Sequence, residues 1–409
     1  MVSLVRLGEI GNTFGIVWSV ACHPVDRIVA SCNGNITIWM GSSMKGHKWY
    51  TEMEECESSA NNGGKWVKAY EFGDLEHTRI IRKVKWSPCG KMLISASFDH
   101  TITIWEFISK NVGWVSICKI LGPESEVKCI DWSNNNTIAA SCRDKTIWIF
   151  SLTMNNRIKG TPIDYDCIGV LTGHNNDIKK VKWHPIIPVI LFSCSYDSTI
   201  IVWAPSSQLL DDKSDRSEWV KYYVLSGHTS TVWDFTFSPC GNYLLSCSDD
   251  STIILWSGKN FRVKNFFNPK NGAKYVIISA LKTILSHSVD IKSLPIYEQV
   301  DQFNLDNKNC SKEMYSFPIY SVEWCKYLNF AVSASANNNL NVFSVNKLEK
   351  LEPILQERNA HNGEVNSISW MNDSKSGEFI SCGDDGRIIL WKIHFEDGSV
   401  MSKYSNTNF

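Results

Sequence analysis

Four segments of the chain carry a histidine, a serine, an aspartate and a tryptophan in the same order, with the aspartate six residues before the tryptophan. Histidine, serine and aspartate form hydrolytic triads, in which histidine takes the serine proton and aspartate orients the histidine. A catalytic site is a single set of residues, whereas these sets recur and include a tryptophan. We therefore interpret them as structural hydrogen-bond networks, called tetrads below. The tetrads are His77, Ser95, Asp99, Trp105; His174, Ser193, Asp197, Trp203; His228, Ser246, Asp250, Trp256; and His361, Ser381, Asp385, Trp391.

The elements that must position the tetrads are short strands. Segment 227–256, GHTSTVWDFTFSPCGNYLLSCSDDSTIILW, contains three runs rich in Val, Ile, Phe, Thr and Trp, which favour β-strands. The runs are separated by the turn residues SPCG at 238–241 and DD at 249–250. This pattern resembles the WD repeat, a four-stranded propeller blade of about 40–45 residues.

The pattern recurs, and an aromatic residue closes the third strand of each unit. One sheet cannot bury both of its faces, but neighbouring sheets stacked in a closed ring can. The sequence therefore predicts an all-β fold, a seven-bladed WD40 β-propeller, in which the N-terminal strand at 4–7 closes the last blade. Complete tetrads are expected in blades 2, 4, 5 and 7, and blades 1, 3 and 6 are degraded. The closing aromatics are Trp39, Trp105, Phe150, Trp203, Trp256, Phe343 and Trp391.

One domain accounts for the 409 residues, because seven blades of ~45 residues need about 315 residues. We predict a single propeller over residues 1–395, followed by a polar C-terminal tail at 396–409. Polar insertions are expected at about 40–65, 204–217 and 257–317. The last of these contains an apolar run at 275–285, and it holds either the fourth strand of blade 5 with a loop or a small subdomain.

Charge and motif content argue against several functions. The net charge is −1 and the sequence pI about 6.8, whereas nucleic-acid binders usually carry a basic excess. No run approaches the ~18 apolar residues of a membrane span, and the N-terminus does not resemble a signal peptide. G-x-S-x-G, a glycine-rich phosphate loop and H-E-x-x-H are absent from the sequence. We predict a protein that is not an enzyme and that binds neither nucleic acid nor membrane.

The 14 cysteines contain no C-x-x-C pair. Cys194, Cys247 and Cys382 each follow a tetrad serine, and Cys142 lies one position later in its unit. Such equivalent positions fall in separate sheets, which stack roughly 10 Å apart, whereas a metal–sulfur bond is about 2.3 Å long. We therefore predict reduced, buried thiols, with no metal site and no cofactor.

The residue type differs between the repeats at two positions, although the surrounding strand and turn pattern is the same. One follows the first apolar residue of the first strand, and the other precedes the Asp or Asn of the second turn. Both are expected on one mouth of the ring, called the rim below, where Trp18 and Asn366 belong to the first set. Blades 2 to 4 supply cations and rings there, while blades 5 and 7 supply carboxylates. The predicted partner-binding residues are Arg82, Phe98, Lys128, Arg143, Lys179, Tyr196, Trp233, Asp249, Tyr320 and Asp384.

Such a rim is suited to an acidic segment that carries an apolar or aromatic side chain. Arg143 is the leading candidate, because a guanidinium can hold a carboxylate through two hydrogen bonds. The alternative is a solvated rim in which each charge is paired locally.

Longer segments resemble one family of WD-repeat proteins, the cytosolic iron–sulfur protein assembly WD-repeat family. The resemblance covers all seven blades and is strongest in blades 2 to 5, whereas blade 6 has ANN at 336–338 in place of an acidic turn. The segments that carry it are RKVKWSPCGKMLISASFD (82–99), SEVKCIDWS (125–133), SCRDKTIWIF (141–150), DIKKVKWHP (177–185), SCSYD (193–197) and GHTSTVWDFTFSPCGNYLLSCSDD (227–250).

The resemblance implies a non-catalytic adaptor of late cytosolic iron–sulfur protein assembly, which itself binds no cluster. The implied partners are a small second subunit and a large helical-repeat subunit of a targeting complex, a hydrogenase-like assembly factor, and apoprotein clients. Client C-terminal tails that end in an aromatic residue beside an acidic one would suit the rim, with Arg82, Lys128 and Arg143 meeting the carboxylates. The implied location is the cytoplasm, with the nucleus as a second location.

A different kind of scaffold remains as the alternative function. A WD-repeat adaptor of a chromatin or ubiquitin-ligase complex would bind a peptide on the same rim. The partners captured from cells distinguish the two functions: iron–sulfur enzymes in one case, histones or ligase subunits in the other.

Overall fold

A computed structural model describes residues 2–41, 66–73, 76–153, 159–205, 219–258, 297–304, 317–345, 350–371 and 377–395. These residues form 28 strands in seven four-stranded antiparallel sheets. Each sheet is one blade of a propeller, so the prediction of an all-β, seven-bladed fold is confirmed. Within the described ranges, no helix has the length and apolar character needed to cross a membrane.

The strands follow one another around the ring in chain order. The chain begins with β1 (Val2–Asn12). Blade 1 contains β2 (Ser19–Cys22), β3 (Ile28–Cys32), β4 (Ile36–Gly41) and β5 (Trp66–Phe72). Blade 2 contains β6 (Ile81–Trp86), β7 (Met92–Ser97), β8 (Ile102–Ser109) and β9 (Gly113–Ile120). Blade 3 contains β10 (Val127–Trp132), β11 (Thr137–Cys142), β12 (Thr146–Leu152) and β13 (Tyr165–Thr172).

The second half of the ring repeats this order. Blade 4 contains β14 (Ile178–Trp183), β15 (Leu191–Ser195), β16 (Thr199–Pro205) and β17 (Trp219–Ser226). Blade 5 contains β18 (Val232–Phe237), β19 (Tyr243–Ser248), β20 (Thr252–Gly258) and β21 (Tyr297–Asn304). Blade 6 contains β22 (Ile319–Trp324), β23 (Ala331–Ser335), β24 (Leu340–Val345) and β25 (Leu351–Glu357). Blade 7 contains β26 (Val365–Trp370), β27 (Glu378–Gly383) and β28 (Arg387–Phe395).

Blade 7 takes its fourth strand from the other end of the chain. Strand β1 pairs antiparallel with β28, from Val2 opposite Phe395 to Asn12 opposite Arg387. The predicted closure by an N-terminal strand is confirmed, although the strand is longer than residues 4–7. Because β1 covers the outer edge of β28, that edge is not left unpaired.

The fourth strand of blade 5 lies inside the predicted insertion 257–317. Strand β21 pairs with β20, with Tyr297 opposite Gly258. Tyr297 is buried, and its hydroxyl donates a hydrogen bond to the carbonyl of Gly241. Of the two alternatives for this segment, the structure therefore contains the fourth strand. The apolar run 275–285, most of the three insertions and the tail 396–409 lie outside the described residues.

Seven apolar clusters among the described residues hold the ring together, and each joins two neighbouring blades. The cluster between blades 7 and 1 closes the ring and includes Val17, Trp39, Ile380 and Leu390. Complete burial of a large aliphatic or aromatic side chain contributes about 1.5–3 kcal/mol. Because every blade shares both of its faces with its neighbours, the blades depend on ring closure for their stability.

Candidate functional site

Residues of the first set reach the rim because they occupy β-bulges. In blades 2 to 7, the pairing between the first two strands skips one residue. In blade 2, Ile81 lies opposite Ser97 and Lys83 opposite Ala96, so that Arg82 has no partner. A bulged residue leaves the regular alternation of the strand and its side chain is re-aimed. The skipped residues are Arg82, Lys128, Lys179, Trp233, Tyr320 and Asn366.

A repeated backbone hydrogen bond places the second set beside the first. In each of blades 2 to 7, the residue before the turn Asp or Asn donates its N–H to the carbonyl just before the first strand. The Phe98 N–H bonds the Ile80 oxygen at 3.0 Å, and the Arg143 N–H bonds the Glu126 oxygen at 3.0 Å. Both sets of positions therefore lie at the same end of each blade.

Every blade contributes to one cavity of about 270 Å³ at this mouth. Six of the predicted binding residues line it, together with Trp18, Asn366 and Glu364. Arg143, Tyr196, Asp249 and Asp384 do not line the cavity, although Tyr196 and Asp384 contact residues that do. The lining is Trp18, Arg82, Phe98, Lys128, Lys179, Trp233, Tyr320, Glu364 and Asn366.

The rim cations Lys179 and Arg82 lie against aromatic rings. The Lys179 ammonium lies 3.7 Å from the centre of the Tyr196 ring and 4.7 Å from that of Trp233. The Arg82 guanidinium lies 5.1 Å from the Trp18 ring. In the described part of the chain, neither cation forms a salt bridge. Burial and the nearby charge of Lys128 lower the pKa of Lys179 to about 8, although the charge of Asp177 acts in the opposite direction.

The aromatic wall continues past the cations. Trp233 packs edge-on against Tyr196 and Tyr320, with ring centres 5.6 Å and 5.2 Å apart. On the opposite side, the Lys128 ammonium lies 4.1 Å from the centre of the Phe98 ring. An apolar or aromatic ligand side chain would therefore meet rings on two sides.

Glu126 is shared by three cations. Its carboxylate lies 3.0 Å from Arg79, 2.5 Å from Lys128 and 3.4 Å from Arg143. The hydrogen bond from Lys128, with the charges of the other two, holds the pKa of Glu126 below its usual value. One carboxylate for three cations leaves this part of the rim positive. The Arg143 side chain is 61% exposed and, among the described residues, forms one long ion pair, with Glu126, so its guanidinium is accessible to a ligand.

The other half of the mouth is acidic. The Tyr320 hydroxyl is hydrogen-bonded to Glu364, and burial together with this carboxylate raises the pKa of Tyr320. Asp249 accepts a hydrogen bond from Ser230 at 3.2 Å, and Asp384 accepts one from Asn366 at 2.8 Å. The rim thus has a basic side in blades 2 to 4 and an acidic side in blades 5 to 7.

The tetrads are continuous hydrogen-bond chains below the rim. In blade 5, Trp256 donates to Ser246 at 2.9 Å, Ser246 contacts His228 at 2.8 Å, and His228 contacts Asp250 at 2.9 Å. Because an ionised aspartate can only accept, the histidine donates through Nδ1 and accepts the serine proton at Nε2. Blades 2, 4 and 7 contain the same chain at 2.7–3.1 Å.

The tetrad serines have no solvent exposure. Ser95, Ser193, Ser246 and Ser381 are each 0% exposed. A nucleophile must meet its substrate, so this burial supports a structural role for the tetrads. The repeated cysteines are similarly enclosed: Cys194, for example, is fully buried, and burial raises the pKa of its thiol well above its usual value. Over the ranges that the structure describes, no group of three or more His, Cys, Asp or Glu side chains could hold a metal ion.

Sequence reasoning missed three charged rim residues, Arg79, Glu126 and Glu364. Glu126 and Glu364 share one place, directly before the first strand of their blades. This place supplies the carbonyl acceptor of the repeated backbone bond. Extending the comparison of the repeats by one residue would have revealed both glutamates. Arg79 lies two residues after a tetrad histidine, where the backbone carbonyl accepts the same serine hydrogen bond in blades 2, 4 and 5 but the residue type varies.

Comparison with known protein families agrees with this architecture. The family described as WD domain, G-beta repeat matches residues 71–106, 114–151, 165–204, 219–257 and 353–392. The fold and these matches define a WD-repeat β-propeller.

Whole-chain relatives identify the family more closely. The chain is 32% identical over 393 residues to the probable cytosolic iron-sulfur protein assembly protein Ciao1 of Culex quinquefasciatus, covering 94% of this chain and 95% of that protein. It is 30% identical over 350 residues to the probable cytosolic iron-sulfur protein assembly protein 1 of Scheffersomyces stipitis, covering 77% and 84%. The chain therefore belongs to the Ciao1 family of cytosolic iron–sulfur protein assembly proteins, and the resemblance seen in its sequence is confirmed.

Some relatives are longer. A probable cytosolic Fe-S cluster assembly factor of Schizosaccharomyces japonicus is 28% identical over 388 residues, which cover 94% of this chain but 52% of that protein. The alignment with a Schizosaccharomyces pombe relative covers 53% of that protein. The chain thus spans about half the length of these two relatives.

Proposed function

We propose that this chain is a non-catalytic scaffold of cytosolic iron–sulfur protein assembly that docks apoprotein clients and assembly partners. The names of its relatives support a role in this assembly in the cytosol. The WD-repeat fold supports a role in binding proteins. The proposed partners are a small second subunit, a large helical-repeat subunit, a hydrogenase-like assembly factor and client C-terminal tails. A nuclear pool of the protein is proposed as well.

The rim is the proposed docking site for the tails. The observation that carries this proposal is the Lys179 ammonium between the rings of Tyr196 and Trp233, without a salt bridge in the described part of the chain. A carboxylate beside Lys179 would supply the missing negative charge, and an adjacent aromatic side chain would enter the 270 Å³ cavity. Charge complementarity of this kind speeds encounter, and the buried ring supplies most of the affinity.

The polarity of the mouth favours one orientation of the tail. The cations of blades 2 to 4 attract the acidic side chain and the terminal carboxylate, while Glu364, Asp249 and Asp384 repel them. Arg143 lies outside the cavity and is accessible, so we assign it to the terminal carboxylate that remains outside. The aromatic residue then points inward, toward Trp233.

Binding of a labelled ten-residue peptide ending in Asp-Trp, measured by fluorescence anisotropy, tests the docking site. Arg143→Glu should weaken binding by roughly 30-fold or more, equivalent to about 2 kcal/mol, because it repels the terminal carboxylate. The fold should be unchanged because the side chain is mostly exposed. Lys221→Glu, at an exposed position on β17 with the same charge change, is the matched control and should bind normally. Unchanged affinity of Arg143→Glu and of Lys179→Met would contradict docking at the rim.

Affinity capture from cells tests the assembly role separately. The full chain should retain iron–sulfur apoproteins and assembly factors, and Arg143→Glu should lose the clients that end in an acidic and an aromatic residue. Capture of histones or ubiquitin-ligase subunits in their place would contradict the assembly role, even if the peptide still bound to the rim.

A further inference from the structure

A second cavity, of about 420 Å³, lies in the central channel. Its wall contains residues of the first strands that follow the bulges, including Lys83 and Lys85 of β6 and Lys180 and Lys182 of β14. None of the nine residues that line the rim cavity lines this one. We call it the inner cavity, and its charges have no part in the function proposed above.

Two of its carboxylates are already fully engaged. Asp131 pairs with Lys85 and also accepts the Trp183 N–H at 2.7 Å. Asp234 pairs with Lys180 and also accepts hydrogen bonds from the Phe235 N–H, the Ser321 hydroxyl and the Val322 N–H. These carboxylates have little remaining capacity for a metal cation or for a further lysine.

Lys83 and Lys182 contact no carboxylate among the described residues. Among the described residues, the Lys83 ammonium makes neither a salt bridge nor a hydrogen bond, and the Lys182 ammonium contacts only the Thr236 hydroxyl, at 3.3 Å. Burial, followed by the charge of Lys180, lowers the pKa of Lys182 to about 8. Burial raises the pKa of Glu323, the third carboxyl group of the wall, which weakens its ability to compensate these charges. The inner cavity therefore has excess positive charge.

Four tryptophans at the ends of first strands also line this wall. Trp86 and Trp370, at the ends of their first strands, donate their indole N–H to the carbonyls of Ala21 and Glu323. Trp132 and Trp324 occupy the equivalent position and line the cavity, and they are only 3% and 7% exposed. In the described part of the chain, their indole N–H groups have no acceptor. These two nitrogens are buried and not exposed to the cavity, so the lysines are the groups that a ligand would meet.

We propose that the inner cavity binds a small phosphate-bearing anion. The volume falls within the ~300–1,000 Å³ range of small-molecule sites. Lysine ammonium groups are compact charges suited to phosphate oxygens. Because the carboxylates that could compete are held by Lys85, Lys180 and backbone N–H groups, Lys83 and Lys182 are left for the anion.

Isothermal titration of the full chain with inorganic pyrophosphate and with ADP, at low ionic strength, tests the proposal. The double variant Lys83→Met/Lys182→Met keeps the side-chain stems, and it should weaken binding of both probes by about tenfold or more. Lys91→Met/Lys221→Met removes two exposed lysines and should bind within about twofold of the unchanged chain. Tighter binding of ADP would identify a nucleotide as the ligand class, and tighter binding of pyrophosphate an inorganic polyphosphate.

Thermal unfolding provides a second readout. Pyrophosphate should raise the Tm of the unchanged chain and leave that of the double variant unaffected, while the double variant without ligand should be at least as stable because like charges have been removed. If the double variant does not fold, the single variant Lys83→Gln serves in its place. Absence of binding at millimolar probe, or loss of binding in Lys128→Met but not in the double variant, would overturn the proposal.

Discussion

The tetrads and the rim are built from adjacent residues of the same repeat, yet they differ in how well their polar groups are satisfied. Asp250 of the blade 5 tetrad accepts hydrogen bonds from His228, from the Thr229 N–H, and from both the N–H and the hydroxyl of Thr252. Asp249, one residue earlier on the rim, accepts a side-chain hydrogen bond from Ser230 alone among the described residues. The repeat thus places an aspartate with many hydrogen bonds directly after one with few.

Blades without a complete tetrad refine this comparison. Blade 1 keeps the hydrogen bond from Trp39 to Ser31, at 2.9 Å, without the histidine and aspartate. Blade 6 closes with Phe343, which is buried in the cluster shared with blade 5. Both remain four-stranded sheets. The apolar clusters between blades therefore form the ring, and the tetrads add stability to particular blades.

The largest contrast is expected between two tryptophans of blade 5. Trp256 is buried in the tetrad, at 3% exposure, whereas Trp233 lies on the rim. Trp256→Ala should lower the free energy of unfolding by about 3–5 kcal/mol, because it leaves a cavity and removes the donor to Ser246. Trp233→Ala should cost about 1 kcal/mol and instead abolish tail binding. Urea unfolding measures the loss of stability in each variant, and the peptide-binding assay measures tail binding. Equal losses of stability would contradict the distinction between tetrad and rim.

A smaller contrast is expected between the neighbouring aspartates. Asp250→Asn keeps the shape of the side chain but removes its charge and two acceptor sites, so it should cost about 2 kcal/mol. Asp249→Asn should change stability by less than about 0.5 kcal/mol. Both variants are measured by urea unfolding at neutral pH. A cost for Asp249→Asn as large as that for Asp250→Asn would show that the rim also stabilises the blade.

The same two aspartates should also differ in the pH dependence of stability. Burial alone would raise the pKa of Asp250, but the hydrogen bonds and charge of His228 and the donors of Thr252 lower it to about 2. The pKa in the unfolded chain is about 3.9. This aspartate therefore stabilises the fold above about pH 4, and its contribution is lost as the pH falls toward 2.

The Tm of the unchanged chain should accordingly fall between about pH 4 and pH 2, since the pKa values of Asp99, Asp197 and Asp385 are lowered as well. The stability of Asp250→Asn should depend less steeply on pH, because about one proton fewer is taken up on unfolding in this range. The stability of Asp249→Asn should follow that of the unchanged chain. Identical slopes for all three proteins would contradict the assignment of the pH dependence to the tetrads.

The fold was predictable because each blade repeats the same local pattern. The six-residue spacing between Asp250 and Trp256, for example, reflects a turn and a strand that are continuous in the chain. Strand β21 was harder to predict, because it lies far along the chain from β20 and outside the repeat. Residues 4–7 were recognised as a strand, but its extension to Asn12 follows from pairing with β28, at the opposite end of the chain.

The candidate site was predictable only in part. The variable positions were evident from the repeats, but the bulge that turns Arg82 and its equivalents onto the rim is a feature of strand pairing. The three cations around Glu126 come from two blades, so their meeting at one carboxylate depends on how neighbouring blades pack. The lysines of the inner cavity were likewise hidden, because their alternation on β6 and β14 is also that of an ordinary strand.

Residue order by itself determined the strands, the turns and the identity of the tetrads, since the contacts within a blade join residues that are close in the chain. The packing of neighbouring blades decided which charged and aromatic side chains come into contact. It brings Lys179 of blade 4 against Trp233 of blade 5, and Lys85 of blade 2 against Asp131 of blade 3. The physical reason is that electrostatic and aromatic contacts depend on distance in space, which the angle between successive sheets sets.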